Sequence, residues 1–193
     1  MSISDVVSAV FGGDKPDTVG NMSREQFEEK NEDGAAAVGA VETTDDQFSI
    51  GDQQLFLQVA AGGTMQLEVS KVAVDNATDA EVKEMAQAEV DEQSGLSDKL
   101  QEIADAKGIT LPSEPDADTK AMVQMLKNLS GAEFDRTYIE QSGINGHEKL
   151  DAVMSRVESA AENADLKELA AAAHPLVLTH LQVSRAIAEK MAA

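Results

Sequence analysis

The sequence contains no cysteine and no tryptophan, and it has only one tyrosine and five phenylalanines among 193 residues. Without cysteine the chain can form neither disulfides nor thiolate metal sites, and it has no cysteine nucleophile. Because aromatic residues make up 3% of the chain, the core must be built from aliphatic side chains. Such a core favours the packing of helix on helix over a β-sandwich.

Basic residues are also scarce: 15 Lys and Arg stand against 36 Asp and Glu, which gives a formal net charge of -21. Nucleic-acid affinity comes largely from Lys and Arg that release counterions from phosphates, so this charge argues against a nucleic-acid partner. An acidic surface attracts cations or basic partners, although a solvated acidic face accounts for the charge equally well. Both interpretations stay open.

No segment approaches the roughly 20 consecutive apolar residues of a membrane span. Residues 1–13 lack a basic start, and Ser8 interrupts their apolar stretch, so they do not resemble a secretory signal. From the sequence as written we expect a cytoplasmic protein without a membrane span. The identity of a protein partner and the oligomeric state are left open.

Residues 1–50 differ in composition from the rest of the chain. They hold 11 acidic and three basic residues, and Gly, Asp and Thr break up their apolar positions. We expect an acidic and mostly disordered tail with short helices near residues 3–10 and from Ser23, whose spacing to Gln26 is that of a capping box.

From Asp52 onward apolar residues recur at steps of three and four, which indicates amphipathic helices. The pattern predicts four long helices within residues 51–193, at about 52–73, 78–107, 130–161 and 163–191. A shorter helix over about 119–129 lies in the middle connection, while the other two connections are short. The predicted fold is therefore all-α, a ferritin-like antiparallel four-helix bundle with a helical crossover.

Local signals support these helices. Thr78 with Glu81 and Ser130 with Glu133 have the spacing of capping boxes, and Asn163 is the expected cap of the last helix.

Glycines add a second set of signals. Gly62 and Gly63 in the first long helix predict a close approach of another helix or a kink. Gly143 and Gly146 predict either a close approach or a bulge in the third helix.

Four polar residues fall on the apolar seams, where core side chains are expected. Glu89 and Gln93 lie on the second long helix, His147 on the third and His180 on the fourth. Each lies near the middle third of its helix, and a buried polar group is costly unless it is paired. We therefore expect these four side chains to meet in one polar layer.

Two interpretations of this layer remain. His147, His180 and Glu89 could hold a single Zn, Mn or Fe ion, with Glu68 or Asp91 as a further oxygen ligand. Residues 144 and 177 are Ile and Val, so neither histidine carries the Glu-x-x-His pattern of di-iron bundles. In the other interpretation the layer is a hydrogen-bonded structure that fixes helix register. The third histidine, His174, is expected at the surface beside Pro175 and not as a ligand.

The sequence has no GxSxG elbow, no glycine-rich phosphate loop, no HExxH motif and no EF-hand loop. No residue is therefore assigned a catalytic role. We expect a non-catalytic helical bundle protein that acts through protein contacts, with residues 1–50 as its recognition segment and a stress- or envelope-associated role. The alternative is a metal-binding protein with a His/Glu site inside the bundle.

Several motifs together resemble one known family. They are Phe56-Leu57-x-x-Ala60-Ala61-x-Gly63, Ala106-Lys107-Gly108-x-x-Leu111-Pro112 and Leu129-Ser130-Gly131-Ala132-x-Phe134-Asp135-Arg136-x-Tyr138. The family is the bacterial "predicted outer membrane protein" domain of unknown function, family 4142.

The resemblance covers nearly all of residues 52–190 and implies a ferritin-like fold. It also implies that His147 and His180 match two histidines of the family and that Gln93 stands where members usually have a third. Members are typically exported behind a signal peptide, which implies a periplasmic or envelope location.

Overall fold

The computed structural model describes residues 15–193, so the short helix expected near residues 3–10 lies outside the described part. The described chain is all-α apart from one short hairpin, and its six helices pack antiparallel. None of the described helices is long and apolar enough to cross a membrane.

The elements follow one another along the chain as β1 (Thr18–Val19), β2 (Met22–Ser23), α1 (Arg24–Gly39), α2 (Ile50–Asn76), α3 (Ala80–Lys107), α4 (Ala117–Lys127), α5 (Gly131–Tyr138), a π-helix (Ile139–Gly146), α6 (His147–Ala160) and α7 (Ala164–Ala192). The two strands pair antiparallel. α5, the π-helix and α6 continue one another without a break, so they count as one long helix.

A short helix was expected from Ser23 within the otherwise flexible residues 1–50, and α1 begins there but is longer than expected and packs on the bundle. The predicted capping box is present, because Ser23 Oγ accepts from the Gln26 N–H and Gln26 Oε1 accepts from the Ser23 N–H. α1 then runs for 16 residues and packs against α3 and α7. Phe27 is fully buried there. Val38 at the other end of α1 is buried as well, so two apolar residues hold this polar helix on the bundle, and composition alone does not reveal such contacts.

The start of α3 differs from the predicted capping box. Asp79, and not Thr78, is the cap, since its carboxylate accepts from the Glu81 and Val82 N–H groups. Thr78 instead donates its backbone N–H and its hydroxyl to Asp135. The hydroxyl therefore ties the α2–α3 turn to α5.

The remaining caps follow the sequence more closely. Asn163 accepts from the Leu166 N–H, as predicted. Ser130 precedes α5 at the expected place, but its side chain makes no capping hydrogen bond. Gly108 ends α3 in the left-handed conformation, with φ at 67°.

The predicted close approaches of helices at glycines are confirmed. A Cβ on Gly62 would lie 2.5 Å from Leu150 Cδ2, and a Cβ on Gly143 would lie 2.5 Å from Ser184 Oγ. Gly143 and Gly146 also lie in the π-helix, which is the predicted bulge of this long helix.

Within residues 15–193 the hydrophobic core consists of two separate clusters. One includes Leu96 to Ala104 of α3 with apolar residues of α6 and the first half of α7. The other includes Val82 to Ala86 of α3 with apolar residues of α5 and the second half of α7. The polar side chains of Gln66, Glu89, His147 and His180 occur between these groups along their helices. A buried polar layer therefore divides the core.

The end of α3 and the start of α7 are joined by a buried ion pair. Lys107 Nζ lies 2.6 Å from Asp165 Oδ2, and both side chains are almost completely buried. The Thr44 N–H also donates to this carboxylate at 2.8 Å. Burial opposes ionisation of Asp165, but the hydrogen bonds from Lys107 and Thr44 outweigh it and hold the pKa of this carboxyl below its usual value.

Candidate metal centre

The expected polar layer is present at mid-height of the bundle. Glu89 comes from the middle of α3, His147 is the first residue of α6, and His180 lies in α7. Their side chains are exposed by 0%, 1% and 0%. Glu89 Oε1 lies 2.6 Å from His147 Nε2 and also contacts His180 Nδ1. One carboxylate oxygen is thus shared by the two imidazoles.

The π-helix determines what the outer nitrogen of His147 contacts. In this wide turn the Ser142 carbonyl oxygen faces inward, 3.0 Å from His147 Nδ1 and 3.2 Å from Gln66 Nε2. His147 Nδ1 also lies 3.0 Å from Gln66 Nε2, so the tautomer decides its role. With its hydrogen on Nδ1 the ring donates to the Ser142 carbonyl, which only accepts, and with its hydrogen on Nε2 it accepts from the Gln66 amide. His147 Nε2 is left facing Glu89.

The outer nitrogen of His180 is oriented by α1. Asn31 Oδ1 lies 2.6 Å from His180 Nε2, and Asn31 Nδ2 donates to the Phe27 carbonyl at 2.7 Å. The second bond fixes which end of the amide faces the histidine. His180 Nε2 therefore donates to Asn31, and its Nδ1 is left facing Glu89. The Phe27 ring packs beside the imidazole, with 5.5 Å between centroids.

The charges in the cluster stabilise one another. Burial opposes ionisation of Glu89, but the nearby charges of His180 and His147 outweigh burial and lower the pKa of its carboxyl. Burial likewise disfavours the imidazolium form of His180, while Glu89 and Glu92 outweigh burial and raise its pKa to about 9. Near neutral pH, a His180 ring with hydrogens on both nitrogens therefore forms an ion pair with Glu89. A metal ion bound between the two side chains would replace the hydrogen on Nδ1.

Two oxygens next to the cluster have no hydrogen-bond partner among the described residues. They are Glu92 Oε2, which lies 3.4 Å from His180 Nε2, and Gln93 Oε1. Gln93 Nε2 makes only a long contact of 3.5 Å with Glu89 Oε2. Burial and the charge of Glu89 raise the pKa of Glu92 to about 8, although His180 opposes this rise. Buried oxygens without a donor are uncommon in folded proteins, and a cation is one partner that satisfies them.

A hydrogen-bonded network extends from His147 towards α5. The Ser142 hydroxyl donates to Gln66 Oε1, and Tyr138 OH lies 2.9 Å from Ser70 Oγ. Burial and the charge of Glu89 raise the pKa of the Tyr138 phenol, so this group stays protonated. The network supports the histidine side of the cluster with neutral groups.

The other candidates lie outside this cluster. Glu68 pairs with Lys71 at 2.8 Å, and Asp91 accepts from Gln87 at 2.9 Å. Neither supplies the further oxygen ligand that was considered from sequence. His174, which was not expected as a ligand, lies between two carboxylates on the α6–α7 surface.

Sequence reasoning missed four contributors: Asn31, Gln66, Ser142 and Glu92. Gln66 and Ser70 continue the apolar seam of α2 at steps of three and four, so the same spacing that indicated Glu89 would have indicated them. Glu92 lies three residues after Glu89, on the neighbouring face of α3. Nothing in the sequence around Asn31 indicates a role in the site, because that role depends on where α1 packs.

Comparison with known proteins identified one family. The model of the DUF4142 family, described as a domain of unknown function, matches residues 37–187. No curated protein and no solved structure matches the chain. The matched residues include Glu89, His147 and His180, whereas Asn31 precedes them.

Proposed function

Because the chain belongs to the DUF4142 family, whose function is unknown, we propose a function from the site itself. The protein binds one divalent transition-metal ion through the Glu89 carboxylate, His147 Nε2 and His180 Nδ1. The ligand atoms offered by these residues lie within 4.8 Å of one another. That separation brings them within the reach of a single ion after small side-chain movements, since metal–nitrogen and metal–oxygen bonds are about 2.0–2.2 Å long.

One observation carries this proposal: the nitrogen of each histidine that faces away from Glu89 lies within hydrogen-bond distance of an oxygen that can accept its hydrogen. His147 Nδ1 lies 3.0 Å from the Ser142 carbonyl oxygen and donates to it in the tautomer that leaves Nε2 free for a metal ion, and His180 Nε2 donates to Asn31 Oδ1. Metal-binding histidines characteristically donate their other N–H to a carbonyl or carboxylate, which fixes the ring and the tautomer. The arrangement directs two ring nitrogens towards one carboxylate.

The donor set determines the class of ion. Two imidazoles and a carboxylate suit Zn²⁺, Mn²⁺ or Fe²⁺, and the absence of thiolates disfavours Cu⁺. Three protein ligands leave room for a further ligand, which Gln93 Oε1 or a small molecule would supply. The proposal concerns binding of the ion and assigns no reaction to it.

The competing interpretation is a polar layer that only fixes helix register. The ion pair between Glu89 and His180 would serve that purpose. However, in a layer selected only for helix register each buried polar atom is expected to have a hydrogen-bond partner. The unpartnered oxygens of Glu92 and Gln93 do not fit that expectation.

The tail-recognition hypothesis also loses part of its basis. It assigned partner capture to residues 1–50, but α1 within that stretch packs against α3 and α7. Metal binding therefore has the stronger support of the two functions considered from sequence.

The test is metal stoichiometry in solution. Protein purified without chelators is analysed by elemental analysis, and protein stripped of metal is titrated with Zn²⁺, Mn²⁺ and Co²⁺ by calorimetry. We expect one ion per chain, lost in both His147→Ala and His180→Ala and kept in the surface control His174→Ala. Circular dichroism checks that each variant is folded. The proposal is wrong if the wild-type protein binds no ion, or if a folded His147→Ala variant binds as tightly as the wild type.

We also propose that the bundle has ferritin-like connectivity. Short connections join α2 to α3 and α6 to α7, and α4 lies in the middle connection, as expected of ferritin-like bundles with one long crossover. An experimental structure compared with di-iron bundles by topology tests this; a different order of the long helices around the core would contradict it.

A further inference from the structure

A surface cleft of about 280 Å³ lies beside the candidate metal centre, between α1 and α3. We refer to it as the α1–α3 cleft. Most of its charged lining is acidic, and the carboxylates are those of Glu28, Glu32, Glu84, Asp91 and Glu92. A cleft lined by one sign of charge concentrates ions of the opposite sign.

Two polar residues of the cleft lie beside His180 of the metal centre. Asn31 and Glu92 line the cleft, and both approach His180 Nε2, at 2.6 Å and 3.4 Å. Glu92 is only 7% exposed, and its Oε2 has no hydrogen-bond partner among the described residues. The other ring nitrogen of His180 contacts Glu89. One imidazole ring therefore separates the cleft from the candidate metal position.

The rim of the cleft already holds a cationic group. Lys15 Nζ lies 3.4 Å from Glu28 Oε1 on α1 and 3.6 Å from Glu84 Oε1 on α3. The Lys15 side chain is 54% exposed, so solvent screens this pairing and a dissolved cation can displace the ammonium group. The two carboxylates come from the two helices that form the walls.

We propose that the α1–α3 cleft is the route by which divalent cations reach the Glu89–His147–His180 site. This inference rests on the proposed metal binding. The rim carboxylates attract the ion, which moves past Glu92 at the floor and passes His180 once the hydrogen bond between Asn31 and His180 opens. Lys15 competes with the ion at the rim.

The route predicts a specific change in kinetics. Removal of rim carboxylates lowers the local concentration of cations, so the association rate falls while the dissociation rate of the buried ion changes little. The effect shrinks as ionic strength rises, because salt screens exposed charges. Removal of Lys15 has the opposite effect on association.

The experiment uses Co²⁺ and the full chain in a stopped-flow instrument at low ionic strength. Visible absorbance follows binding, and a chelator chase measures dissociation. The test variant Glu28→Gln/Glu84→Gln is matched with Glu114→Gln/Glu148→Gln, which removes two exposed carboxylates that also pair with basic residues. We expect association about tenfold slower in the test variant, faster in Lys15→Gln, and within about twofold of the wild type in the matched control.

The outcomes separate the two proposals. If the wild-type protein binds no Co²⁺ and no other divalent ion, the proposed function itself fails. If it binds one ion per chain but the test variant and the matched control associate equally fast, only the access route is wrong. Should the double variant fail to fold, Glu84→Gln and Lys15→Gln test the route instead, because slower association in the first and faster association in the second are both required.

Discussion

Asn31 and His180 are 149 positions apart in the chain, and the Asn31 side-chain oxygen lies 2.6 Å from His180 Nε2. This contact joins α1, near the start of the described chain, to the middle of α7. It also sets the hydrogen on the outer nitrogen of His180 and thereby leaves Nδ1 for Glu89. A residue outside the family-matched residues 37–187 thus orients a candidate ligand inside them.

The first prediction concerns this contact. We expect Asn31→Ala to weaken binding of Zn²⁺ about 10- to 100-fold, which is the usual effect of removing a group that orients a ligand. Asn76→Ala is a matched control, because Asn76 Nδ2 bonds to the Val72 carbonyl four residues earlier, just as Asn31 does to Phe27, but Asn76 does not contact the site. Calorimetry measures both affinities. Equal affinities in the two variants would show that Asn31 does not position His180.

The second prediction concerns two glycines with opposite surroundings. A Cβ on Gly143 would lie 2.9 Å from Ser184 Cβ, whereas a Cβ on Gly95 would meet nothing within 4 Å. We expect Gly143→Ala to lower the free energy of unfolding by about 1–3 kcal/mol. Gly95→Ala should raise it by up to about 1 kcal/mol, because alanine is the better helix former. Urea unfolding measures both, and a tolerated Gly143→Ala would contradict the close packing of the π-helix on α7.

The third prediction concerns the buried Lys107–Asp165 pair. We expect Asp165→Asn to destabilise the protein by about 3–5 kcal/mol at pH 7, because it leaves a buried ammonium without its carboxylate. The exposed Arg185–Glu148 pair is the control, and Glu148→Gln should change stability by less than about 1 kcal/mol.

The pH dependence of this pair has a definite sign. The pKa of Asp165 is lower in the folded than in the unfolded protein, so its contribution is present above the unfolded pKa of about 3.9. It is lost as the pH falls through the folded pKa. Unfolding measured at pH 7 and near pH 3 should therefore show a smaller difference between wild type and Asp165→Asn at the lower pH. A constant difference would contradict the assignment.

The fourth prediction concerns His174 on the α6–α7 surface. Its Nε2 lies 2.7 Å from Asp151 and its Nδ1 2.9 Å from Glu158. Burial opposes the charged form, but the hydrogen bonds from the imidazole to these carboxylates and the carboxylate charges together outweigh burial and raise the pKa of His174. The stabilisation is therefore complete below the unfolded pKa of about 6.5 and is lost as the pH rises through the folded pKa.

The expected effect is small, because the two carboxylates are partly exposed. Wild type and His174→Gln are compared by urea unfolding between pH 5.5 and pH 9, a range chosen to bracket the usual histidine pKa of about 6.5. We expect the wild type to be more stable at pH 5.5 and the difference to shrink at pH 9. A difference that grows with pH would have the wrong sign.

The sequence was sufficient for the long helices because their apolar residues keep a regular period over many turns. The helices that carry Glu89, His147 and His180 were predicted within a few residues of their bounds. The same period correctly predicted that Glu89, His147 and His180 are buried together, because a polar residue on the apolar face of a helix must point into the core. The resemblance to family 4142 is confirmed by the match over residues 37–187.

What the sequence did not reveal depends on contacts between distant segments. α1 has a polar composition, and its order rests on Phe27 and Asn31 meeting α7. The choice of Asp79 over Thr78 as a cap depends on Asp135, which lies 56 residues further along. A pattern of neighbouring residues does not predict contacts between segments so far apart in the chain. The inward-facing Ser142 carbonyl likewise follows from the π-helix, which glycines permit but do not specify.

The polar layer that divides the hydrophobic core has a consequence for evolution and engineering. Burying charged groups opposes folding, and replacing a buried ionic cluster with apolar residues of similar size is often neutral or stabilising. Substitution of Glu89, His147 and His180 together by Leu or Met would join the two clusters into one, and we expect a protein as stable as the wild type that binds no metal. Stability of that variant equal to the wild type would mean that the three residues are kept by selection for a function and not for stability.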